Sequence, residues 1–119
     1  MLEIEKASDD GSKLKLTITN TLPMPVRINL CDMKMRSSTC FAFLLFSEGD
    51  KWLSRRYIFG GCSAEFVTLD SGESVSEIAD LEYPFPDVDS YIGNILYVSI
   101  PYRVPIDSRL YVCNDYMIP

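Results

Sequence analysis

The chain contains no histidine among its 119 residues. This absence removes the Ser–His–Asp and Cys–His arrangements of nucleophilic catalysis, and with them the commonest side-chain ligand of zinc. The two glycine-rich phosphate-binding motifs, Gly-x-x-x-x-Gly-Lys-Ser/Thr and Gly-x-Gly-x-x-Gly, do not occur either. We therefore expect a protein that is not an enzyme and that binds no cofactor.

Cysteine is the other residue type that can carry chemistry here. The four cysteines, Cys31, Cys40, Cys62 and Cys113, include no Cys-x-x-Cys pair, so the spacing does not indicate a metal or redox site. The N-terminal segment is acidic and strand-like rather than basic and then apolar, as a secretory signal would be. We expect a cytoplasmic protein with free thiols. A secreted or surface domain with disulfides is the alternative.

The charge of the chain is unevenly distributed. The net charge is −6, but residues 57–102 contain no Lys or Arg and eight acidic residues. An acidic surface repels nucleic acid and speeds the approach of basic proteins. We therefore expect a basic protein partner and no nucleic acid, and we place the binding surface at four acidic positions: Glu73, Glu77, Asp87 and Asp89. An ordinary acidic turn accounts for Asp87 and Asp89 better than a calcium site does.

A second candidate for partner binding surrounds the only tryptophan. Trp52, Arg55, Arg56 and Tyr57 are close in sequence and are of the types enriched at interface hot spots. The alternative is structural: Trp52 belongs to the core, and the two arginines protect an exposed sheet edge.

The elements that must position these residues are strands. Residues 13–20 alternate between apolar and polar side chains, which predicts a half-buried antiparallel strand. Further strand signals occur at 26–30, 40–46, 52–59, 66–69, 74–81, 94–100 and 109–113, with breaks at Pro, Gly and Asp between them. The segment 40–46 is apolar on both faces, which predicts a buried strand, and 52–59 is mixed. The pattern of 74–81 changes parity near Ile78, which suggests a bulge, and Gly72 is placed for a turn with positive φ.

Two segments resemble bacterial immunoglobulin-like domains. Leu14 to Val26 is similar to their strand, Thr-Asn-Thr and Pro-Val opening, and Val67 to Ser74 is similar to their Leu-x-x-Gly-Glu-Ser turn. The intracellular proteinase inhibitor family of bacilli is one example of such domains. The resemblance implies a sandwich architecture and is compatible with an inhibitor.

These observations predict one all-β domain over residues 1–119, an immunoglobulin-like two-sheet antiparallel sandwich of seven to eight strands. No apolar run approaches the roughly 20 residues that cross a bilayer, so we expect no membrane association. The expected function is that of a non-catalytic protein-binding domain, inhibitor- or immunity-like, and the alternative is a structural or adhesive module of a secreted or surface protein. The oligomeric state is left open. The predicted core residues are Leu16, Ile18, Phe43, Val98 and Ile100.

Overall fold

The computed structural model describes residues 1–9, 13–34, 41–46, 51–56, 65–80, 95–104 and 109–117, without the side chains of 41–46, 51–56, 95–97, 109, 115 and 117. Nine strands and one helical turn are defined in these residues: β1 Leu2–Lys6, β2 Lys13–Thr19, β3 Val26–Asn29, α1 Leu30–Met33, β4 Phe41–Phe46, β5 Lys51–Arg56, β6 Phe66–Leu69, β7 Ser74–Asp80, β8 Ile95–Arg103 and β9 Arg109–Met117. No helix in this part of the chain has the length and apolar character needed to span a membrane.

The first sheet has three antiparallel strands in the order β1-β2-β7. Its central strand, β2, alternates as predicted, with Leu14, Leu16 and Ile18 buried. On the opposite face, hydroxyl pairs join β2 to β7, with Thr17 Oγ1 2.8 Å from Ser76 Oγ and Thr19 Oγ1 2.7 Å from Ser74 Oγ. One face of this sheet is therefore mainly apolar, and the other is mainly polar.

The second sheet is organised around β8. One edge of β8 pairs with β9 along its whole length, and the other edge pairs first with β4 and then with β3. Strands β5 and β6 extend the sheet beyond β4 and β3. Pro101 lies between the residues of β8 that pair with β4 and those that pair with β3. Because proline has no backbone N–H, an interval without a partner on that edge is where a strand accommodates it.

The two sheets pack through one apolar core. The core cluster contains Leu2, Leu14, Leu16, Ile18 and Ala79 from the first sheet, Val26, Ile28, Leu69, Val98 and Ile100 from the second, and Met33 from α1. Four of the five predicted core residues are thus confirmed, and the side chain of Phe43 lies outside the described residues.

The strand order agrees with the predicted sandwich. In immunoglobulin domains, strands A, B and E face strands C, F and G. Here β1, β2 and β7 hold the first set of places and β3, β8 and β9 the second. Strand β6 and the β4–β5 hairpin extend the second sheet beyond β3 and β8.

Helix α1 was not predicted. Asn29 caps it, because its side-chain Oδ1 accepts hydrogen bonds from the backbone N–H of Cys31 at 3.0 Å and of Glu65 at 3.2 Å. Cys31 is buried and disulfide-bonded, so the expectation that all four cysteines are free thiols is wrong for Cys31. Cys113 is free and exposed.

The turn between β6 and β7 and the strand after it were predicted correctly, but the bulge in that strand was not. Gly72 has a φ of +87°, as its place in the turn required. Strand β7 then pairs with β2 at seven consecutive positions, so the suggested bulge near Ile78 is wrong. Glu77 lies on the same side of the strand as Val75 and Ala79, and Ile78 is 48% exposed on the other side.

Candidate functional site

The acidic residues chosen from the sequence do not form one exposed group in the described residues. Glu73 is exposed at the start of β7, and its Oε1 accepts a 3.3 Å hydrogen bond from the backbone N–H of Asp70. Asp87 and Asp89 lie outside the described residues.

Glu77 has a basic neighbour that the sequence did not reveal. It is partly buried, and its carboxylate lies 4.0 Å from the ammonium group of Lys34, just beyond α1. The absence of Lys and Arg between 57 and 102 therefore does not leave Glu77 without a basic neighbour. Its charge contributes less to an acidic surface than the sequence suggested.

The tryptophan segment is described only by its backbone. In β5, Trp52, Arg55 and Arg56 stand opposite Leu45, Ala42 and Phe41 of β4. Because consecutive positions of a strand belong to opposite faces of the sheet, Arg55 and Arg56 hold positions on different faces. Tyr57 lies outside the described residues. Trp52, Arg55 and Arg56 therefore do not all share one face.

The described surface with the most specific chemistry was not anticipated. Arg27 of β3 and Arg103 of β8 stand directly opposite each other in the second sheet, and both are exposed. Opposite residues of neighbouring strands have Cβ atoms about 5 Å apart. Arg109 of β9 occupies the next position of the same row, opposite Arg103.

Two exposed aromatic residues flank the arginines. The guanidinium carbon of Arg27 lies 4.6 Å from the centre of the Phe66 ring, within the range of a cation–π interaction. On the other side, Tyr111 stands opposite Pro101, diagonal to Arg103. Phe66 is 48% exposed and Tyr111 46%. We call Arg27, Phe66, Arg103 and Tyr111 the arginine surface.

The positive charge of this surface is not neutralised by the side chains that the structure describes. Among them, the single ion pair joins Lys34 to Glu77, and no carboxylate lies within 4.0 Å of Arg27 or Arg103. Like charges directly opposite each other destabilise a sheet. Among the described residues, the two arginines therefore repel each other without a neighbouring carboxylate, and an added carboxylate between them would be favourable.

The sequence alone predicts only part of this surface. Arg27 alternates with the buried residues Val26 and Ile28, which predicts that it points away from the core. Its proximity to Arg103 depends on the register of two strands 76 positions apart, which no local pattern specifies.

A small cavity opens at one end of the sandwich, between the two sheets. It has a volume of ≈ 90 Å³, and Ile18, Leu22, Tyr102 and Val112 are among the residues that line it. Pockets for drug-sized ligands usually measure about 300–1,000 Å³. This cavity is of a size for a few water molecules or part of one side chain.

Strand β9 carries two further titratable groups. The thiol of Cys113 donates a 3.5 Å hydrogen bond to Ser99 Oγ, and burial raises the pKa of Tyr116 above its ordinary value.

Within the residues described, no three His, Cys, Asp or Glu side chains come together as metal ligands. The arginine surface is therefore the candidate site.

The comparisons with known proteins assign no family to this chain. No protein-family model matches the chain, and no curated protein matches it significantly. A solved structure described as a protein from Archaeoglobus fulgidus is similar to it with a TM-score of 0.32 and 8% sequence identity, over 100% of this chain and 94% of that one. A likeness of this size carries no argument, so the functional assignment depends on the geometry of the chain itself.

Proposed function

We propose that the chain is a non-catalytic protein-binding domain, inhibitor- or immunity-like, that binds its partner through the arginine surface. The observation that carries the proposal is the position of Arg27 directly opposite Arg103, both exposed and with no carboxylate at ion-pair distance in the described residues. Arginine and aromatic residues are enriched where protein interfaces gain most of their binding energy.

The sign of the charge decides what kind of partner fits. The sequence suggested an acidic surface and a basic partner, whereas the arginine surface favours a partner with carboxylates. Of the four acidic candidates, Glu77 is already close to Lys34 and Glu73 accepts a hydrogen bond from its own turn. An acidic surface that includes Asp87 and Asp89 stays a prediction.

One observation favours the second candidate function, an immunoglobulin-like structural or adhesive module of a secreted or surface protein. Cys31 is disulfide-bonded, and disulfides persist in oxidising compartments rather than in the cytosol. This supports an extracytoplasmic location over the cytoplasmic one that the sequence suggested. The two candidates share protein binding and differ in where it takes place.

The proposal is tested by a capture experiment with a charge-reversal variant. The wild-type chain, Arg103→Glu and Lys6→Glu are each coupled to resin and cross-linked to partners from native extracts. Lys6 is the matched control, because it is exposed, lies at the end of β1 and undergoes the same change of charge. We expect Arg103→Glu to lose a protein that the wild type and Lys6→Glu both retain. Identical captures by all three would contradict the proposal.

A further inference from the structure

We infer that the arginine surface recognises an extended segment with one acidic residue between two apolar residues, in the pattern apolar-x-acidic-x-apolar. This inference rests on the proposed function and specifies the partner. It follows from the dimensions of the surface, the arrangement of its charges and the charge of the whole domain.

The width of the surface fixes the length of the segment. Its four residues lie on four neighbouring strands, in the order β6, β3, β8 and β9. Neighbouring strands are about 4.8 Å apart, so Phe66 and Tyr111 are separated across the sheet by roughly 14 Å. An extended chain advances about 3.3 Å per residue. A segment of about five residues therefore crosses from one aromatic side chain to the other.

Alternation determines which of the five residues meet the sheet. Every second side chain of an extended segment points the same way, so the first, third and fifth face the surface. The first and fifth meet Phe66 and Tyr111, which are exposed apolar contact area. The third lies above β3 and β8 in the row of Asn29 and Pro101, two residues along each strand from Arg27 and Arg103, so the arginine side chains must extend along the sheet to reach it.

The two arginines suit a single carboxylate. Their Cβ atoms are about 5 Å apart, and each guanidinium presents several N–H donors in a planar fork that matches a carboxylate. The ring of Phe66 already restrains Arg27, because the guanidinium lies 4.6 Å from its centre. Less conformational entropy is then lost when that arginine binds.

The overall charge of the domain favours a short acidic segment over a polyanion. Nucleic acids and sulfated polysaccharides gain affinity by contacting many cations along their length. A chain with a net charge of −6 repels such ligands at long range, whereas one carboxylate between two arginines interacts mainly at close range.

The inference is tested with short peptides and nuclear magnetic resonance titration. The probes are acetylated, amidated Leu-Ser-Glu-Ser-Leu, its Leu-Ser-Gln-Ser-Leu counterpart and a twelve-residue thymidine oligonucleotide. Gln preserves the size of Glu and removes the charge. We expect the Glu peptide to bind at least about tenfold more tightly than the Gln peptide, since hydrogen bonds to charged groups exceed neutral ones by this order. The shifted resonances should include those of Arg27, Phe66, Arg103 and Tyr111.

Variants separate this inference from the proposed function. Arg27→Gln and Arg103→Gln should each abolish the preference for the Glu peptide, whereas Lys6→Gln should keep it. Equal affinity for both peptides, no binding of either, or tighter binding of the oligonucleotide would overturn the inference. If the peptide test fails but Arg103→Glu still loses the protein that the wild-type chain captures, the proposed function stands. The partner then does not present the apolar-x-acidic-x-apolar segment.

Discussion

The side-chain amide of Asn20 donates a 3.0 Å hydrogen bond to the carbonyl oxygen of Leu69, 49 residues further along the chain. The same amide donates to Met24 O at 2.8 Å, and its Oδ1 accepts from the backbone N–H of Leu22 at 2.9 Å. The main chain of Asn20 also bonds Gly72 and Glu73. One buried residue thus joins the β2–β3 corner to the β6–β7 turn.

This arrangement predicts a large effect for a nearly isosteric change. In Asn20→Asp, an acceptor replaces the amide donor and faces the carbonyl oxygens of Met24 and Leu69. We expect the free energy of unfolding to fall by about 2–5 kcal/mol, because each unsatisfied buried group costs about 1–3 kcal/mol. Thermal unfolding measures the loss, and Thr21→Ala, at an exposed neighbour, is the control.

The same variant should acquire a pH dependence. Burial near carbonyl oxygens disfavours the new carboxylate, so its pKa in the folded state should lie above that of the unfolded chain. The folded state then binds more protons, and the deficit relative to wild type should shrink as the pH falls through the folded pKa. A deficit that is constant between pH 7 and pH 4 would show that the carboxylate is not buried.

Local patterns in the sequence predicted most strands, because alternation over six or seven residues is a strong signal and β2 shows it without interruption. They failed where tertiary contacts override side-chain type. Because β7 pairs with β2 without a bulge, Glu77 falls on the inward side, where Lys34 lies beside it, and Ile78 remains exposed. Helix α1 has only four residues, too few for a periodic pattern, and the Arg27–Arg103 pair depends on long-range register.

Substitutions can test which strand positions face the core and which face the solvent. Leu16 of β2 is fully buried, whereas Ile78 of β7 is 48% exposed. Leu16→Ala should lower the free energy of unfolding by about 2–5 kcal/mol. Ile78→Ala should change it by less than about 1 kcal/mol, although it removes a side chain of similar size. Urea unfolding curves compare the two, and equal losses would place Ile78 in the core.

The β6–β7 turn depends on the backbone conformation of Gly72. A Cβ added there would meet nothing within 4 Å, so the cost of a side chain comes from the φ of +87°. Gly72→Ala should therefore lower stability by about 1–2 kcal/mol. Gly72→Asn should cost less, because Asn tolerates the left-handed region better than Ala. If both variants lose the same stability, backbone strain is not the cause.

The cysteines should differ in their contribution to stability. Removal of a native disulfide typically costs about 2–5 kcal/mol. A reducing agent should lower the melting temperature of the wild type and of Cys113→Ser to the same extent. It should leave that of Cys31→Ser unchanged, because the disulfide is already absent. In the native protein, a thiol reagent should label the exposed Cys113. A wild-type melting temperature that does not respond to reduction would contradict the disulfide at Cys31.

Removal of positive charge should have opposite effects on the two sheets. Arg103 stands opposite Arg27, whereas Lys15 of β2 stands opposite Glu5 of β1. Cross-strand charge pairs contribute about 0.2–1 kcal/mol, with a sign set by the charges. Arg103→Gln should therefore raise stability slightly and Lys15→Gln should lower it. Gln keeps much of the length of both side chains, and Arg103→Gln leaves the contact between Arg27 and Phe66 in place.

Salt distinguishes this electrostatic effect from a change in packing. The screening length falls from about 10 Å at 0.1 M to about 3 Å at 1 M ionic strength. The stability changes caused by Arg103→Gln and by Lys15→Gln should therefore both shrink towards zero in concentrated sodium chloride. Differential scanning calorimetry at low and high salt measures them. Arg103 would then be a residue that costs the isolated domain stability, as expected of a charge that is neutralised by a partner. If Arg103→Gln instead destabilises the domain at both salt concentrations, Arg103 stabilises the fold and the case for the arginine surface is lost.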